Sequence, residues 1–122
     1  MKKVLIVEDN SDNMDVLEAF LEDDYELLEA TDGKMGLEMA IDEKPDLILL
    51  DISLPEMDGL QVIAEIRRNQ EIKNTPVIAL TAYAMLGDKE RFLEAGFDEY
   101  MSKPIVDEEV LIDMMNSLME EK

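Results

Sequence analysis

The sequence contains no cysteine and no histidine. It therefore lacks the residues of thiolate nucleophiles, Cys/His zinc sites and Ser-His-Asp triads. Long apolar runs are also missing, because the longest aliphatic stretches, residues 4–7, 47–50 and 77–80, are far shorter than the roughly 20 residues of a membrane helix. Any chemistry must use carboxylates, hydroxyls, lysine or a hard metal ion.

Positive charge is scarce, since 11 lysines and arginines face 31 acidic residues and leave a net charge of −20. Such a chain repels nucleic-acid phosphates and anionic membranes, so we predict no direct nucleic-acid binding and no membrane insertion. Met1, Lys2 and Lys3 resemble the start of a signal peptide, but acids at 8–9 end the apolar stretch before the roughly 7–15 residues of a secretory core. We therefore expect a cytoplasmic protein.

The length of 122 residues and a hydrophobic fraction of 47% predict one domain over residues 1–122, with its own packed core. The three aliphatic runs lack polar alternation, which is typical of strands buried on both faces of a parallel sheet. Segments 25–30 and 98–101 are shorter and more polar, and we predict them as flanking strands.

Segments with helical periodicity separate these strands. Their apolar positions are Met14, Leu17 and Leu21; Met35, Met39 and Ile41; Leu60, Ile63 and Ile66; and Val110, Met114 and Leu118. Ser11 or Asp12 is predicted to cap the first helix, Asp32 and Gly33 to precede the second, and Gly96 to end the fourth. Alternating strands and helices predict an α/β fold, a doubly wound parallel sheet with helices on both faces.

Polar residues follow several of the predicted strands. Glu8 and Asp9 follow the first, Asp51 the third and Thr81 the fourth, and Lys103 comes after the fifth. Because ligand sites of open α/β sheets lie at the carboxyl ends of the strands, these groups are expected to share one pocket.

Solvated loop acids or helix caps are the plainer interpretation of Glu8 and Asp9. Asp51 is different, because burying an unpaired carboxylate after four aliphatic residues requires a nearby cation. Lys103 supplies one positive charge, and the remaining negative charge predicts a Mg²⁺ site, where Mn²⁺ is expected to substitute. A carboxylate beside Mg²⁺, a lysine and a hydroxyl such as that of Thr81 is suited to accepting a phosphoryl group.

Together these motifs resemble the receiver (CheY-like) domain of two-component response regulators, over essentially the whole chain. The matching residues are Glu8-Asp9, Asp51, Pro55 with Asp58-Gly59, Thr81-Ala82 and Lys103-Pro104. The resemblance implies a five-stranded flavodoxin-like sheet with strand order 2-1-3-4-5.

It also implies a role for each matching residue. Asp51 is the expected phosphoacceptor, while Glu8, Asp9, Asp51 and the backbone carbonyl of Ser53 are the expected Mg²⁺ ligands. Lys103 pairs with the phosphoryl group, and Thr81 and Tyr100 form the switch. Positions 53 and 83 affect phosphoryl lifetime in the family, so a bulky Tyr83 is expected to slow dephosphorylation.

By the same resemblance, the phosphodonor is a sensor histidine kinase or histidine phosphotransfer protein that docks beside Asn13, Met14 and Leu17 and near the loop after Pro104. The output is a contact with a downstream protein through the face of the fourth helix, fifth strand and fifth helix. The chain is expected to be a phosphoacceptor without a separate turnover substrate, and a monomer or a phosphorylation-dependent dimer. We expect a stand-alone receiver, with a receiver excised from a hybrid kinase as the alternative.

Three other functions fit the fold less well. An FMN carrier needs a glycine- and hydroxyl-rich phosphate cradle where this chain has Glu8, Asp9 and Asn10. A phosphatase with an aspartyl nucleophile normally has an Asp-x-Asp pair, whereas Ser53 follows Asp51 at that spacing. The strongest alternative is an interaction module with a receiver fold that works without phosphorylation.

Overall fold

The computed structural model describes residues 1–82, 88–103, 105 and 107–120, and in these ranges strands and helices alternate along the chain. The strands are β1 (Lys3–Val7), β2 (Glu26–Ala30), β3 (Leu47–Asp51), β4 (Val77–Thr81) and β5 (Glu99–Ser102). The helices are α1 (Ser11–Leu21), α2 (Gly33–Glu43), α3 (Gly59–Arg68), α4 (Asp88–Ala95) and α5 (Glu108–Glu120).

The strands form one parallel sheet in the order β2-β1-β3-β4-β5, which confirms the predicted fold. In the register, Val7 lies beside Leu50, Asp51 beside Leu80, and Thr81 beside Ser102. The carboxyl ends of β1, β3, β4 and β5 therefore meet at one edge. The strand order reverses between β1 and β3, where a doubly wound sheet offers a binding crevice.

Hydrophobic residues fill both faces of the sheet. The side chains of α2, α3 and α4 pack on one face, and those of α1 and α5 pack on the other. The three aliphatic runs are buried throughout, as their lack of polar alternation predicted. Among the described residues, no helix has the length and apolar composition needed to cross a membrane.

The helix ends agree only partly with the sequence prediction. Asp32 caps α2, and Gly96 follows the last residue of α4 with a φ of 118°, a conformation that glycine adopts without strain. The predicted cap of α1 was wrong. Asn10 occupies that position and accepts a hydrogen bond from the backbone N–H of Asn13, because Ser11 is already the first helical residue.

The apolar face predicted for α5 was also off by one residue. Leu111, Met115 and Met119 are the buried residues of this helix. The predicted series of Val110, Met114 and Leu118 lies beside them, where Val110 is 47% exposed and the other two are half-buried. α5 therefore carries two adjacent apolar stripes, of which the core buries only one completely.

In α2, the predicted apolar series likewise lies outside the most buried positions. Gly33, Gly36 and Ala40 are buried, whereas Met35 is 42% exposed. A Cβ added at Gly36 would lie 2.7 Å from the side chain of Val7, so the small residues let α2 approach the sheet closely. Met39 and Ile41 are half-buried and pack at the margin of the core.

Candidate functional site

The carboxyl edge of the sheet holds a compact acidic cluster. Glu8, Asp9 and Asp51 each place a carboxylate oxygen within 4.8 Å of the others. Glu8 and Asp51 are 1% exposed, whereas Asp9 is exposed to solvent. The interpretation of Glu8 as a solvated loop acid is therefore wrong, and the sequence spacing brings the three acids together as expected.

One lysine bridges the two buried acids. The Nζ of Lys103 lies 2.9 Å from a carboxylate oxygen of Glu8 and 3.1 Å from one of Asp51. Only 13% of the Lys103 side chain is exposed, so water screens these contacts weakly. The residue reaches the pocket because its backbone N–H donates to the carbonyl of Thr81 at 2.7 Å, which extends the pairing of β4 with β5.

Backbone groups fix the second oxygen of each buried acid. The N–H of Ser53 donates to Asp51 at 3.0 Å, and the N–H of Asn10 donates to Glu8 at 3.2 Å. All buried side-chain polar atoms among the described residues have hydrogen-bond partners. The carboxylates are thus held in place by their own loops as well as by Lys103.

The electrostatic environment shifts the pKa of Glu8 and Lys103 in the same direction. Burial raises the pKa of Glu8, the hydrogen bond and charge of Asp51 raise it further, and Lys103 opposes these effects. For Lys103, burial lowers the pKa, but its hydrogen bonds to Glu8 and Asp51 outweigh this effect, so the net pKa is raised. The Lys103 ammonium therefore keeps its positive charge, while the Glu8 and Asp51 carboxylates still repel each other.

The cluster has the chemistry of a magnesium site. Three carboxylates share the pocket with one ammonium, and hard oxygen donors are the ligands that Mg²⁺ prefers. Glu8, Asp9 and Asp51 are thus suitable ligands. The carbonyl of Ser53 follows Asp51 in the same loop and stays a predicted ligand.

A close backbone contact holds the loop after β3. Gly59, the first residue of α3, donates its N–H to the carbonyl of Ile52 at 3.0 Å. A Cβ at position 59 would lie 2.6 Å from the carbonyl oxygen of Asp51, closer than real Cβ contacts allow. Asp58 caps α3 in a capping box with Gln61, which sets where the helix begins.

The two predicted switch residues lie on neighbouring strands. Thr81 ends β4 and is 3% exposed, while Tyr100 is half-buried on β5 beside Ala79. The ring centroid of Tyr100 lies 5.9 Å from that of Phe92, a buried residue of α4. Phe92 was not predicted from the sequence, although a lone aromatic residue in a mostly charged helix is a usable signal for a core contact.

Several predicted residues fall outside the described part of the chain. They are Tyr83, Pro104 and part of the predicted output face of the fourth helix, fifth strand and fifth helix, at residues 84–87 and 106. Near the expected donor-docking surface, Asn13 and Leu17 line a cavity of about 30 Å³. Its other lining residues are Glu8, Val16, Lys103 and Ile105. Met14, predicted for the same surface, is buried in the core.

Comparisons with known proteins agree with this arrangement. The family model described as "Response regulator receiver domain" matches residues 4–116. The polar-differentiation response regulator DivK of Brucella anthropi is 45% identical over 105 residues, which is 85% of each chain.

Solved structures of receiver domains superpose over almost the whole chain. The receiver domain of the sensor histidine kinase PA1611 of Pseudomonas aeruginosa, with magnesium in its active-site cleft, is 35% identical with a TM-score of 0.89, covering 98% of both chains. A CheY-like receiver domain protein of Methanospirillum hungatei is 30% identical with a TM-score of 0.88, covering 99% of this chain and 95% of the other. The chain belongs to the response regulator receiver domain family.

Proposed function

We propose that this chain accepts a phosphoryl group on Asp51 in a Mg²⁺-dependent reaction and transmits the signal to a downstream protein. The observation that carries the proposal is the contact of one ammonium with two buried carboxylates, Lys103 with Glu8 and Asp51, beside the exposed acid Asp9. A core that only supported the fold would gain nothing from this arrangement, because burying three charges costs several kcal/mol each before they pair.

The proposed donor is a phosphohistidine on a sensor histidine kinase or a histidine phosphotransfer protein. A carboxylate oxygen of Asp51 attacks the phosphorus, the O–P bond forms as the P–N bond breaks, and the electron pair of that bond returns to the imidazole of the donor. Asp51 is held for this step by the N–H of Ser53 at 3.0 Å. The chain is then itself the phosphoacceptor, assisting its own phosphorylation and dephosphorylation, and it turns over no separate substrate.

Charge neutralisation dominates catalysis of phosphoryl transfer. Lys103 is positioned to move from a carboxylate of the resting pocket to an oxygen of the phosphoryl group, because it already contacts Asp51. A Mg²⁺ ion bound by Glu8, Asp9 and Asp51 would supply the remaining positive charge; the PA1611 receiver domain holds magnesium in its active-site cleft. We expect Mn²⁺ to substitute, as both ions prefer oxygen ligands.

The signal is proposed to leave the pocket through Thr81 and Tyr100. The hydroxyl of Thr81 binds a phosphoryl oxygen, and the ring of Tyr100 changes its packing on Phe92 in response. The carbonyl of Thr81 already accepts a hydrogen bond from the backbone N–H of Lys103. Thr81, Tyr100 and Lys103 are therefore linked through the pairing of β4 with β5. The face of α4, β5 and α5 then changes its affinity for a partner, in the cytoplasm, and the chain acts as a monomer or as a phosphorylation-dependent dimer.

Intact mass spectrometry after incubation with acetyl phosphate tests the proposal. We expect wild-type protein to gain the mass of one phosphoryl group with Mg²⁺ and none in EDTA. Asp51→Asn should gain nothing, whereas Asp12→Asn, an exposed acid of the first turn of α1, should behave as wild type. Modification that persists without Mg²⁺ or in Asp51→Asn contradicts the assignment.

The alternative function, an interaction module that works without phosphorylation, makes the opposite prediction. A folded protein that gains no phosphoryl group with Mg²⁺ and acetyl phosphate would favour that alternative. Circular dichroism on the same samples establishes that each variant is folded.

A further inference from the structure

One residue of the loop between β3 and α3 has a strained backbone. Glu56 has a φ of 63°, in the left-handed region that residues other than glycine, asparagine and aspartate rarely adopt. The N–H of Met57 donates to the carbonyl of Pro55 at 2.7 Å, so Glu56 is the central residue of a three-residue γ-turn. A γ-turn with a positive φ at its centre is the rare and strained form. Such strain persists only where the surrounding structure imposes it, and it clusters at functional sites.

The loop is held on both sides of Glu56. Before it, Leu54 is buried, and after it, Asp58 forms the capping box of α3. The carbonyl of Met57 packs against Gly33, the first residue of α2, so closely that an added Cβ at position 33 would overlap the carbonyl oxygen. The Glu56 side chain is exposed and forms no ion pair with a lysine or arginine of the described ranges. The neighbouring backbone therefore imposes the positive φ.

The closed loop also fixes the expected phosphoacceptor. The peptide group between Ile52 and Ser53 is hydrogen-bonded at both ends. Its carbonyl accepts the N–H of Gly59 at 3.0 Å, and its N–H donates to the carboxylate of Asp51 at 3.0 Å. A negative φ at Glu56 would send the chain along a different path to α3, and these two bonds could not both be kept. Closure of the loop and placement of Asp51 are thus one structural event.

We propose that the strain at Glu56 weakens Mg²⁺ binding, because it favours an open form of this loop over the closed form that binds the metal. Asp51 and the carbonyl of Ser53, a predicted ligand, are in place only in the closed form. The apparent affinity for Mg²⁺ is then reduced in proportion to the fraction of protein that is closed. Glu56 is a positioning residue that keeps Mg²⁺ binding readily reversible. The proposal rests on the Mg²⁺ site of the proposed function.

Substitutions at position 56 separate the strain from the charge. Glu56→Gly removes the strain, because glycine adopts a positive φ freely. Glu56→Asn removes part of it, since asparagine is enriched in the left-handed region. Glu56→Gln keeps the strain and removes the charge, which the other two variants also lose. It is therefore the reference for both.

Lys44 offers a matched control away from the pocket. It is the other non-glycine residue with a positive φ in the described part of the chain, at 47°. It follows the last residue of α2, roughly 16 Å along the helix from Gly33. Lys44→Gly relieves the same kind of strain, and Lys44→Gln keeps it. Both variants lose the exposed ion pair with Glu71, which contributes little to stability.

Isothermal titration calorimetry measures the Mg²⁺ affinity of the unphosphorylated full chain, and urea denaturation in EDTA measures its stability. We expect Glu56→Gly to bind Mg²⁺ roughly three- to tenfold more tightly than Glu56→Gln, with Glu56→Asn between them. The two Lys44 variants should agree within about twofold, because distant sites act independently. Each glycine variant should have a higher urea midpoint than its glutamine reference, because relief of strain outweighs the chain entropy that glycine adds to the unfolded state.

Three results would overturn the proposal. Equal Mg²⁺ affinities of Glu56→Gly and Glu56→Gln, with a higher urea midpoint in the former, would show that the loop has a single conformation. Weaker binding by Glu56→Gly would show that glycine only loosens the loop. An equal gain of affinity in Lys44→Gly would show a general effect of stability rather than an effect of the loop.

The intact-mass assay separates this proposal from the proposed function. A wild-type protein that binds Mg²⁺ but gains no phosphoryl group refutes phosphorylation of Asp51, and the order of Mg²⁺ affinities still decides the role of Glu56. Phosphorylation of a protein whose variants do not follow that order leaves the proposed function standing and overturns the role of Glu56.

Discussion

Replacing Lys103 by methionine tests whether one ammonium holds the acidic pocket together. Its Nζ lies 2.9 Å from Glu8 and 3.1 Å from Asp51, both of which are 1% exposed. At about 3 Å and an effective dielectric constant of roughly 20, each pair carries on the order of 5 kcal/mol of Coulomb attraction. Methionine removes this attraction and leaves two buried carboxylates to repel each other. The free energy of unfolding in EDTA at pH 7 should fall by about 3–5 kcal/mol, the usual cost of breaking a buried ion pair.

Urea denaturation followed by far-UV circular dichroism measures this change. The matched control is Lys44→Met, which removes an ion pair of 3.2 Å to Glu71 between side chains that are 53% and 64% exposed. An exposed pair contributes only about 0–1 kcal/mol. A loss in Lys103→Met no larger than in Lys44→Met would refute the electrostatic account of the pocket.

The pH dependence of stability provides a second check through Glu8. Burial and Asp51 raise the pKa of Glu8 above its ordinary value of 4.5, so the folded protein keeps this proton at pH values where the unfolded chain has lost it. The resulting stabilisation is present at acidic pH and is lost as the pH rises through the raised pKa. Lys103 lowers the pKa of Glu8, so its removal raises that pKa further. The stability deficit of Lys103→Met should therefore be smaller at pH 5 than at pH 8, and a constant deficit contradicts the reasoning.

Three further variants test other parts of the structure. Mg²⁺ should raise the urea midpoint of the wild-type protein, because it binds the folded state preferentially. Asp9→Asn should weaken this rise in the same titration, because it removes the exposed acid of the cluster. Gly59→Ala should cost about 1–3 kcal/mol of stability and slow phosphorylation of Asp51 in the mass assay, since the new Cβ lies 2.6 Å from the Asp51 carbonyl; normal kinetics would contradict this. Arg67→Lys should lower the free energy of unfolding by about 2–3 kcal/mol in urea denaturation, because the guanidinium donates to the carbonyls of residues 73, 75 and 96 as well as to a carboxylate. The same substitution at the exposed Arg68 should lower it far less.

The sheet was predictable because each central strand is marked by the residues of its own short segment. Each central strand is a short aliphatic run, and the polar residue that follows each run marks the edge at which the strands end. Parallel order then places Glu8, Asp9 and Asp51 together without knowledge of any distance. Lys103 was predicted to supply a positive charge near Asp51, and its Nζ lies 3.1 Å from that carboxylate. Its second contact, with Glu8 at 2.9 Å, could not be deduced in this way, because it depends on how the chain leaves β5.

The errors in the sequence prediction arose where neighbouring residues offer equivalent chemistry. Asn10, Ser11 and Asp12 are all good capping residues, and only the start of the helix decides which one accepts the bond from Asn13. In α5, residues 110, 114 and 118 repeat as regularly as 111, 115 and 119. The core selects between two such stripes through three-dimensional packing, which a single helix does not encode.

The residues of the acidic pocket are far apart along the chain, since Lys103 is 95 positions from Glu8 and 52 from Asp51. During synthesis, the acids leave the ribosome long before the lysine that neutralises them. In the proposed function, a chain that has not docked β5 against β4 has the phosphoacceptor without its cation, so it would present no complete pocket to a phosphodonor. Phosphorylation of Asp51 would therefore be restricted to fully folded copies, and an incomplete receiver would send no signal.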